Sequence, residues 1–150
     1  MKGSYILLLH LPETQSIAIG RLGNLHFPGG YYAYVGSAMS GFGARVNRHL
    51  KPAEKRHWHI DYLRDRASVA GIFLCPTEQR TECAIAQSLN QQLECISDFG
   101  ASDCRCRSHL FFSANELPMK ETITETMKRL ELDVDYLRRQ SEVSARLNRL

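Results

Sequence analysis

Residues 31–51 read YYAYVGSAMSGFGARVNRHLK and predict three consecutive elements. Residues 31–36 are aromatic, small and β-branched, which is typical of a short strand. A turn of small residues follows, and a basic helix over 42–51 ends the stretch. Glycine admits close approach of a ligand to the backbone, so an anion could bind at the turn that Gly36 and Ser37 open. We therefore interpret this strand–turn–helix unit as the centre of a candidate site.

The predicted helix carries two different faces. Its apolar residues recur every four positions and share one face, which we assign to the core: Phe42, Val46 and Leu50. Arg45 and His49 lie one turn apart on an adjacent stripe, so both side chains can reach a single ligand. Arg48 adds a cation near the C-terminus, where the helix dipole favours positive charge. The ordinary alternative is an amphipathic helix with a solvated basic face.

Two tripeptides near the N-terminus share a pattern of glycine and tyrosine. They are Gly3-Ser4-Tyr5 and Tyr34-Val35-Gly36, and together they resemble the two half-motifs of the GIY-YIG nuclease superfamily. Arg45 stands where that superfamily places an arginine, and His49 matches the Arg-x-x-x-His spacing of several members.

Two later stretches resemble one branch of that superfamily, the Uri-type endonucleases. They are HWHIDYL at 57–63 and FGASDCRCRSHLFF at 99–112. The resemblance covers roughly the first three quarters of the chain. It implies a metal-dependent endonuclease that hydrolyses phosphodiester bonds in DNA. Some relatives are fused to a base-excision glycosylase domain, which would suit a role in repair.

The resemblance also implies catalytic and metal-binding roles for individual residues. Tyr34 would deprotonate or orient the attacking water, with Tyr5 close by. A phenol titrates near ~10, so nearby cations must lower its pKa or it must act when a metal is bound. The guanidinium group of Arg45 would donate hydrogen bonds to a non-bridging phosphate oxygen. Glu82 would hold one Mg²⁺ or Mn²⁺, which typically needs only one or two carboxylates.

Further polar residues would relay protons or contact the substrate. The candidates for proton relay or phosphate contact are His49 and either His57 or His59. Four residues would bind the substrate: Gly36, Ser37, Arg48 and His57. From the stretch 99–112, Asp103 and His109 could also face the site.

Each assignment has a structural alternative. Tyr5 and Tyr34 could be core aromatics whose hydroxyls are hydrogen-bonded. Glu82 could simply complement a helix dipole in the first turn, and Glu78 is its nearest rival as a metal ligand. His57 could pack at the start of a helix over 58–64, whose outer side we expect to carry Asp61 and Arg64.

The chain departs from the superfamily pattern in two respects. The half-motifs are separated by 28 residues between Tyr5 and Tyr34, far more than in many members. The runs SIAIG at 16–20 and NLHF at 24–27 predict an inserted hairpin there. Ser37 stands where some relatives carry a basic residue.

Composition and charge limit the class of protein. A chain of 150 residues suits one domain, and 43% hydrophobic with 23% charged residues is ordinary for a soluble globular protein. No apolar run reaches the ~18 residues of a membrane helix, and the run near the N-terminus is too short for a signal peptide. We therefore expect a cytoplasmic protein without membrane contact.

Positive charge is concentrated around the candidate site. The first 60 residues hold seven Lys or Arg and two Glu, whereas the rest hold twelve basic and fourteen acidic residues. Such a basic region favours salt-sensitive binding of a phosphate backbone, although a solvated basic loop has the same composition. DNA is the expected partner, with RNA as an open alternative.

Five cysteines raise a question about zinc. Their odd number and the lack of an export signal favour reduced thiols. Cys104, Cys106 and His109 supply three ligands, whereas a structural zinc usually takes four. Cys75, Cys95 or a histidine could complete the set only if the fold brought it near. We therefore expect packing thiols and no structural zinc.

The predicted fold class is α/β (α+β): a small, mixed, mostly antiparallel sheet flanked by helices, with the inserted hairpin and a helical C-terminal tail. Strands are expected at 4–10, 31–36, 69–75 and near 109–113. A helix over 78–93 would be capped at Thr77.

Two regions are expected along the chain. Residues 1–118 would form the nuclease-like domain, and 119–150 a helical extension packed on or near it. The extension could also pair with another copy or touch nucleic acid, so the oligomeric state is left open. The competing functions are an inactive nucleic-acid-binding module of the same fold and a zinc-bound adaptor.

Overall fold

A six-stranded antiparallel sheet forms the centre of the molecule, and the computed structural model describes residues 1–138 and 140–149. In chain order the strands are β1 (Gly3–Leu11), β2 (Gln15–Ala18), β3 (Asn24–Phe27), β4 (Gly30–Ala38), β5 (Ser68–Pro76), β6 (Glu94–Cys95), β7 (Leu110–Ser113) and β8 (Asp135–Leu137). Strands β2 and β3 form the separate hairpin predicted from the sequence. The others follow the spatial order β6-β7-β4-β1-β5-β8.

Strand β1 lies inside the sheet because its apolar run can be buried on both faces. Tyr5, Leu7 and Leu9 contribute to one hydrophobic core. Ile6 and Leu8 contribute to a second core on the opposite face. Side chains alternate along a strand, so one continuous apolar segment supplies both cores.

In the part of the chain that the structure describes, five α-helices cover the two faces of the sheet. They are α1 (Phe42–His49), α2 (His59–Arg64), α3 (Glu82–Asn90), α4 (Glu116–Arg129) and α5 (Gln140–Arg149). Helices α1, α2 and α5 pack on the face that carries Tyr5. Helices α3 and α4 pack on the face that carries Ile6. The expected fold class, a mostly antiparallel sheet flanked by helices, is confirmed.

Helix α3 is shorter than the sequence predicts. It begins at Glu82, with Thr81 rather than Thr77 at the N-cap position. Residues 77–81 instead form a turn, in which the Thr77 hydroxyl accepts a hydrogen bond from the Gln79 amide at 3.1 Å. The amide of Thr77 itself donates to the Lys2 carbonyl and so extends the sheet edge rather than a helix. Glu82 is therefore the first helical residue.

The C-terminal tail is not wholly helical, in contrast to the prediction for 119–150. Pro118 lies in the first turn of α4, where proline is tolerated because that turn lacks an internal hydrogen-bond acceptor for its N–H. The predicted boundary at 118 therefore falls inside a helix. Strand β8 then adds to β5 at the edge of the main sheet, and α5 follows it.

The predicted outer side of α2 is in fact an inner one. Asp61 is 2% exposed and accepts hydrogen bonds from the amides of His57 and Trp58 at 2.7 and 2.9 Å. Arg64 donates to the carbonyls of His49 and Leu50 at 2.7 and 2.9 Å. These carbonyls lie at the end of α1 and lack helical partners. The two charged residues therefore join α2 to α1 instead of facing solvent.

None of the helices formed by residues 1–138 and 140–149 combines the length and apolar character that crossing a membrane requires.

The two glycines of the tripeptide pattern are explained by close contacts. Gly36 lies opposite Tyr5 in the β1–β4 pairing. A Cβ atom at Gly36 would lie 2.3 Å from Cζ and 2.4 Å from the hydroxyl of Tyr5. A Cβ atom at Gly3 would lie 2.0 Å from the carbonyl oxygen of Cys75. The absence of a side chain at these positions therefore allows the Tyr5 ring and the β5 backbone to approach.

Substitution Gly36→Ala should destabilise the protein by about 1–3 kcal/mol, because the added methyl group overlaps a buried ring. The matched control is Gly43→Ala in α1, where a Cβ atom meets nothing within 4 Å. It should be neutral or stabilise by about 0.4–1 kcal/mol. Denaturant titration of both variants measures the difference. Equal stability of the two variants would contradict this account of Gly36.

Candidate active site

A cleft of about 580 Å³ opens where β4, the start of α2, the start of α3 and the loop at 99–109 meet α1. Six residues singled out from the sequence line it: Tyr34, Ser37, Arg45, His57, His59 and Glu82. They come from positions as far apart as 34 and 82 and from helices on both faces of the sheet. The tertiary structure therefore gathers much of the predicted set into one cavity.

Four predicted site residues are not among those that line the cleft: Tyr5, Gly36, Arg48 and His49. Tyr5 and His49 lie behind it, each 1% exposed, and their side chains are joined by a hydrogen bond of 2.8 Å between the Tyr5 hydroxyl and His49 Nε2. The Tyr5 ring is 6.5 Å from that of Tyr34, between centroids. That Arg45 and His49 reach a single ligand stays a prediction: His49 bonds the Tyr5 phenol, whereas Arg45 lines the cleft.

The phenols in and behind the cleft hold their protons more tightly than a free tyrosine. Burial raises the pKa of Tyr34 to about 12 and outweighs the opposing effect of Arg45. Burial, with a smaller contribution from Tyr34, raises the pKa of Tyr5 well above its usual value. The charge of Arg45 lowers both pKa values but does not bring either of them below its usual value, as one of the two expectations required. At neutral pH both side chains are therefore protonated phenols, and that of Tyr5 is hydrogen-bonded to His49.

His59 is held in one tautomer by the loop that follows β6. The Gly100 amide donates a hydrogen bond of 2.9 Å to its Nδ1 atom. Burial lowers the pKa of His59, so the ring is neutral at physiological pH. A neutral ring that accepts at Nδ1 carries its proton on Nε2. His59 can therefore donate a hydrogen bond to a ligand in the cleft.

Arg45 and Arg48 both contact the indole of Trp58. Each guanidinium carbon lies 4.5 Å from the ring centroid, a distance typical of cation–π contact. Arg48 also pairs with Asp61 at 2.7 Å. Burial alone would raise the pKa of Asp61, but hydrogen bonds from two amides and Arg48 hold it below its usual value. Arg48 is thus engaged in holding α1 to α2, whereas Arg45 reaches the cleft.

Glu82 has the chemistry of a ligand for a hard cation. Its Oε2 atom is buried and has no hydrogen-bond partner among residues 1–138 and 140–149. The Ser37 hydroxyl in the same cleft is also buried without a partner in that part of the chain. Carboxylate and other oxygen ligands suit Mg²⁺ or Mn²⁺. Glu78, the rival ligand, is instead paired with Lys2 at 3.1 Å at a different surface pocket.

Sequence reasoning missed one cation of the cleft. Arg80 lines it from the turn before α3. The segment that contains Arg80 was predicted to be helical. In a helix its side chain would point in a different direction from the one that it takes in the turn. Asp103 and His109 do line the cleft, as the stretch 99–112 suggested.

A cluster of sulfur and nitrogen ligands borders the same cleft. It comprises Cys83, Cys104, Cys106 and His109, whose ligand atoms all lie within 4.8 Å of one another. Burial, together with the thiols of Cys106 and Cys104, raises the pKa of Cys83 to about 12. The sequence identified three possible ligands of a metal ion: Cys104, Cys106 and His109. The residue that joins them in the structure is Cys83, and not Cys75 or Cys95.

The family described as "Domain of unknown function DUF123" matches residues 4–132. That range covers β2–β7, α1–α4 and all of β1 except Gly3, and so it contains every residue that lines the cleft. Neither the curated proteins nor the solved structures gave a match.

The buried His49 should make the fold sensitive to acid. Burial lowers its pKa from 6.5 to about 4, with a smaller opposing effect of Asp61. Between these values the unfolded chain binds a proton that the folded chain does not, so stability falls as the pH drops. The limiting loss from this one group is about 3 kcal/mol.

Unfolding of the wild type and of His49→Gln should be compared from pH 7 to pH 4. The variant is expected to be less stable at pH 7, since it disturbs the bond to Tyr5, and to lose less stability on acidification. Parallel pH profiles for the two proteins would show that His49 is not the group responsible. Because His59 is present in both, its contribution cancels in the difference.

Proposed function

This chain belongs to the DUF123 family, and we propose that it is a metal-dependent endonuclease of GIY-YIG type that hydrolyses phosphodiester bonds in DNA. The observation that carries the proposal is the cleft that contains Tyr34, Arg45, His59 and a carboxylate oxygen of Glu82 without a partner in the described chain. A water-orienting phenol, a phosphate-binding guanidinium and a metal-binding carboxylate are the groups that phosphodiester hydrolysis needs.

The charges around the cleft support a polyanionic substrate. Arg45 and Arg80 line it, and the basic segment 45–56 connects Arg45 to His57, which also lines it. Guanidinium groups bind phosphate bidentately and do not lose their charge. Contact of Arg45 with the face of Trp58 restricts its side chain. The cleft can therefore present fixed positive charge to a non-bridging phosphate oxygen.

The protonation states of Tyr34 and His59 indicate a different role for each side chain. Tyr34, with its raised pKa, is protonated at neutral pH and orients the attacking water through its hydroxyl. His59 donates from Nε2 to a phosphate oxygen, since its Nδ1 is occupied by Gly100. Glu82 would hold Mg²⁺ or Mn²⁺, which when bound supplies positive charge that favours ionisation of water and stabilises the phosphate.

Tyr5 and His49 would act indirectly. Both are buried, and the Tyr5 hydroxyl is hydrogen-bonded to His49 Nε2. The charge of Arg45 acts on the same phenol. They therefore position Arg45 and Tyr34 and do not touch the substrate. This assignment gives His49 a positioning role in place of the proton relay implied by the resemblance.

The test is a cleavage assay on supercoiled, linear, flapped and single-stranded DNA, and on RNA. The full chain is purified without chelator, and Mg²⁺ or Mn²⁺ is added or withheld. Arg45→Ala and Glu82→Gln should each reduce cleavage by roughly 100-fold or more, because each removes stabilisation of charge that develops in the transition state. Arg45→Lys should recover only part of the activity, because lysine keeps the positive charge but cannot make the bidentate hydrogen bonds of a guanidinium group.

Matched control variants distinguish the loss of a cleft residue from the general effect of removing one surface charge. Arg66→Ala removes an exposed arginine outside the cleft, and Glu78→Gln removes an exposed glutamate at another pocket. Both should cleave at the wild-type rate. Full activity in Arg45→Ala or Glu82→Gln would refute the site. Salt-dependent binding of every substrate with no cleavage would identify a nucleic-acid-binding module instead.

A further inference from the structure

We propose that Cys83, Cys104, Cys106 and His109 form a four-coordinate structural zinc site. Their ligand atoms converge from the first turn of α3 and from the loop that precedes β7. All three cysteines are free thiols, so none is used in a disulfide. The proposal does not rest on the proposed nuclease activity.

The distances fit tetrahedral coordination. With Zn–S near ~2.3 Å and Zn–N near ~2.0 Å, ligand atoms in a tetrahedron lie about 3.5–3.8 Å apart. The Sγ atoms of Cys104 and Cys83 lie 3.4 and 4.0 Å from His109 Nε2. The widest separation in the cluster is within 4.8 Å. Small side-chain adjustments would therefore bring all four ligands onto one ion.

The histidine is already prepared as a ligand. His109 Nδ1 lies 3.0 Å from the backbone oxygen of Val35. A carbonyl oxygen can only accept, so Nδ1 carries the proton and the Nε2 lone pair faces the thiols. Metal-binding histidines are commonly fixed in this way by an acceptor at the other ring nitrogen.

The ligand set selects zinc and a structural role. Three thiolates and one imidazole are soft and borderline ligands, which favour Zn²⁺ over Mg²⁺ or Mn²⁺. Four protein ligands leave no open position for water or substrate, as is typical of structural sites. The sulfur-rich cluster is therefore chemically distinct from the oxygen ligands of Glu82 and Ser37, although both border one cleft.

The position of the cluster indicates what the metal would stabilise. Cys83 follows Glu82 directly, and Cys104 and His109 line the cleft wall. Through the bond from His109 to Val35, the same ion would connect α3 and the loop at 99–109 to β4. The site would thus fix the wall that carries the Glu82 carboxylate and the Gly100 amide that orients His59.

Elemental analysis of the full chain, purified without chelator, tests the proposal. We expect about one zinc per chain, as for a single closed site. Replacement with Co²⁺ should give the intense visible absorption of a tetrahedral, thiolate-bound ion. A strong chelator should remove the metal and lower the melting temperature, and added Zn²⁺ should restore it, because binding to the folded state alone stabilises it.

Variants locate the ligands. Cys83→Ser and Cys106→Ser should lose the zinc and the cobalt spectrum, whereas Cys95→Ser, outside the cluster, should keep both. If the ligand variants do not fold, the visible spectrum of the cobalt-substituted wild type tests the proposal. A spectrum without sulfur-to-cobalt charge transfer would overturn it. A chain that neither contains zinc nor binds it, or equal loss in Cys95→Ser, also overturns it.

Discussion

The packing of the Tyr5 ring over Gly36 is the contact on which the arrangement of the cleft depends. It is possible only because Gly36 has no side chain, and it fixes the pairing of β1 with β4 at the middle of the sheet. The Tyr5 hydroxyl then bonds His49 and so anchors α1. Arg45, one turn earlier on α1, is placed beside Tyr34 as a consequence. A cross-strand contact in the core thereby determines the geometry of a surface cleft.

A second set of polar contacts holds the helices that border the cleft. Asp61 is buried, yet three hydrogen bonds satisfy its carboxylate, which makes its burial tolerable. Arg64 occupies the carbonyls at the end of α1. Trp58 contacts two arginines, one of which pairs with Asp61. These groups leave Arg45 as the arginine of α1 that reaches the cleft.

Burial has opposite consequences for the two kinds of ionisable group at the cleft. It keeps Tyr5 and Tyr34 protonated and keeps His49 and His59 neutral, since low polarity disfavours every charged form. The neutral groups therefore act by donating and orienting hydrogen bonds. Fixed charge comes from arginine, which resists loss of its proton. The proposed roles follow because arginine keeps its charge at neutral pH, whereas the buried tyrosines and histidines are neutral.

The sequence alone determined the elements whose signal is local: the apolar face of α1, the inserted hairpin, the central strands, and the order in which Tyr34, Arg45 and Glu82 occur. Local periodicity and turn composition depend on neighbouring residues, so they can be read without coordinates. The sequence could not show that Asp61 and Arg64 face inward, that Arg80 lies in a turn, or that Cys83 joins Cys104, Cys106 and His109. Those facts depend on contacts between residues distant in the chain, and only the tertiary structure brings such residues together.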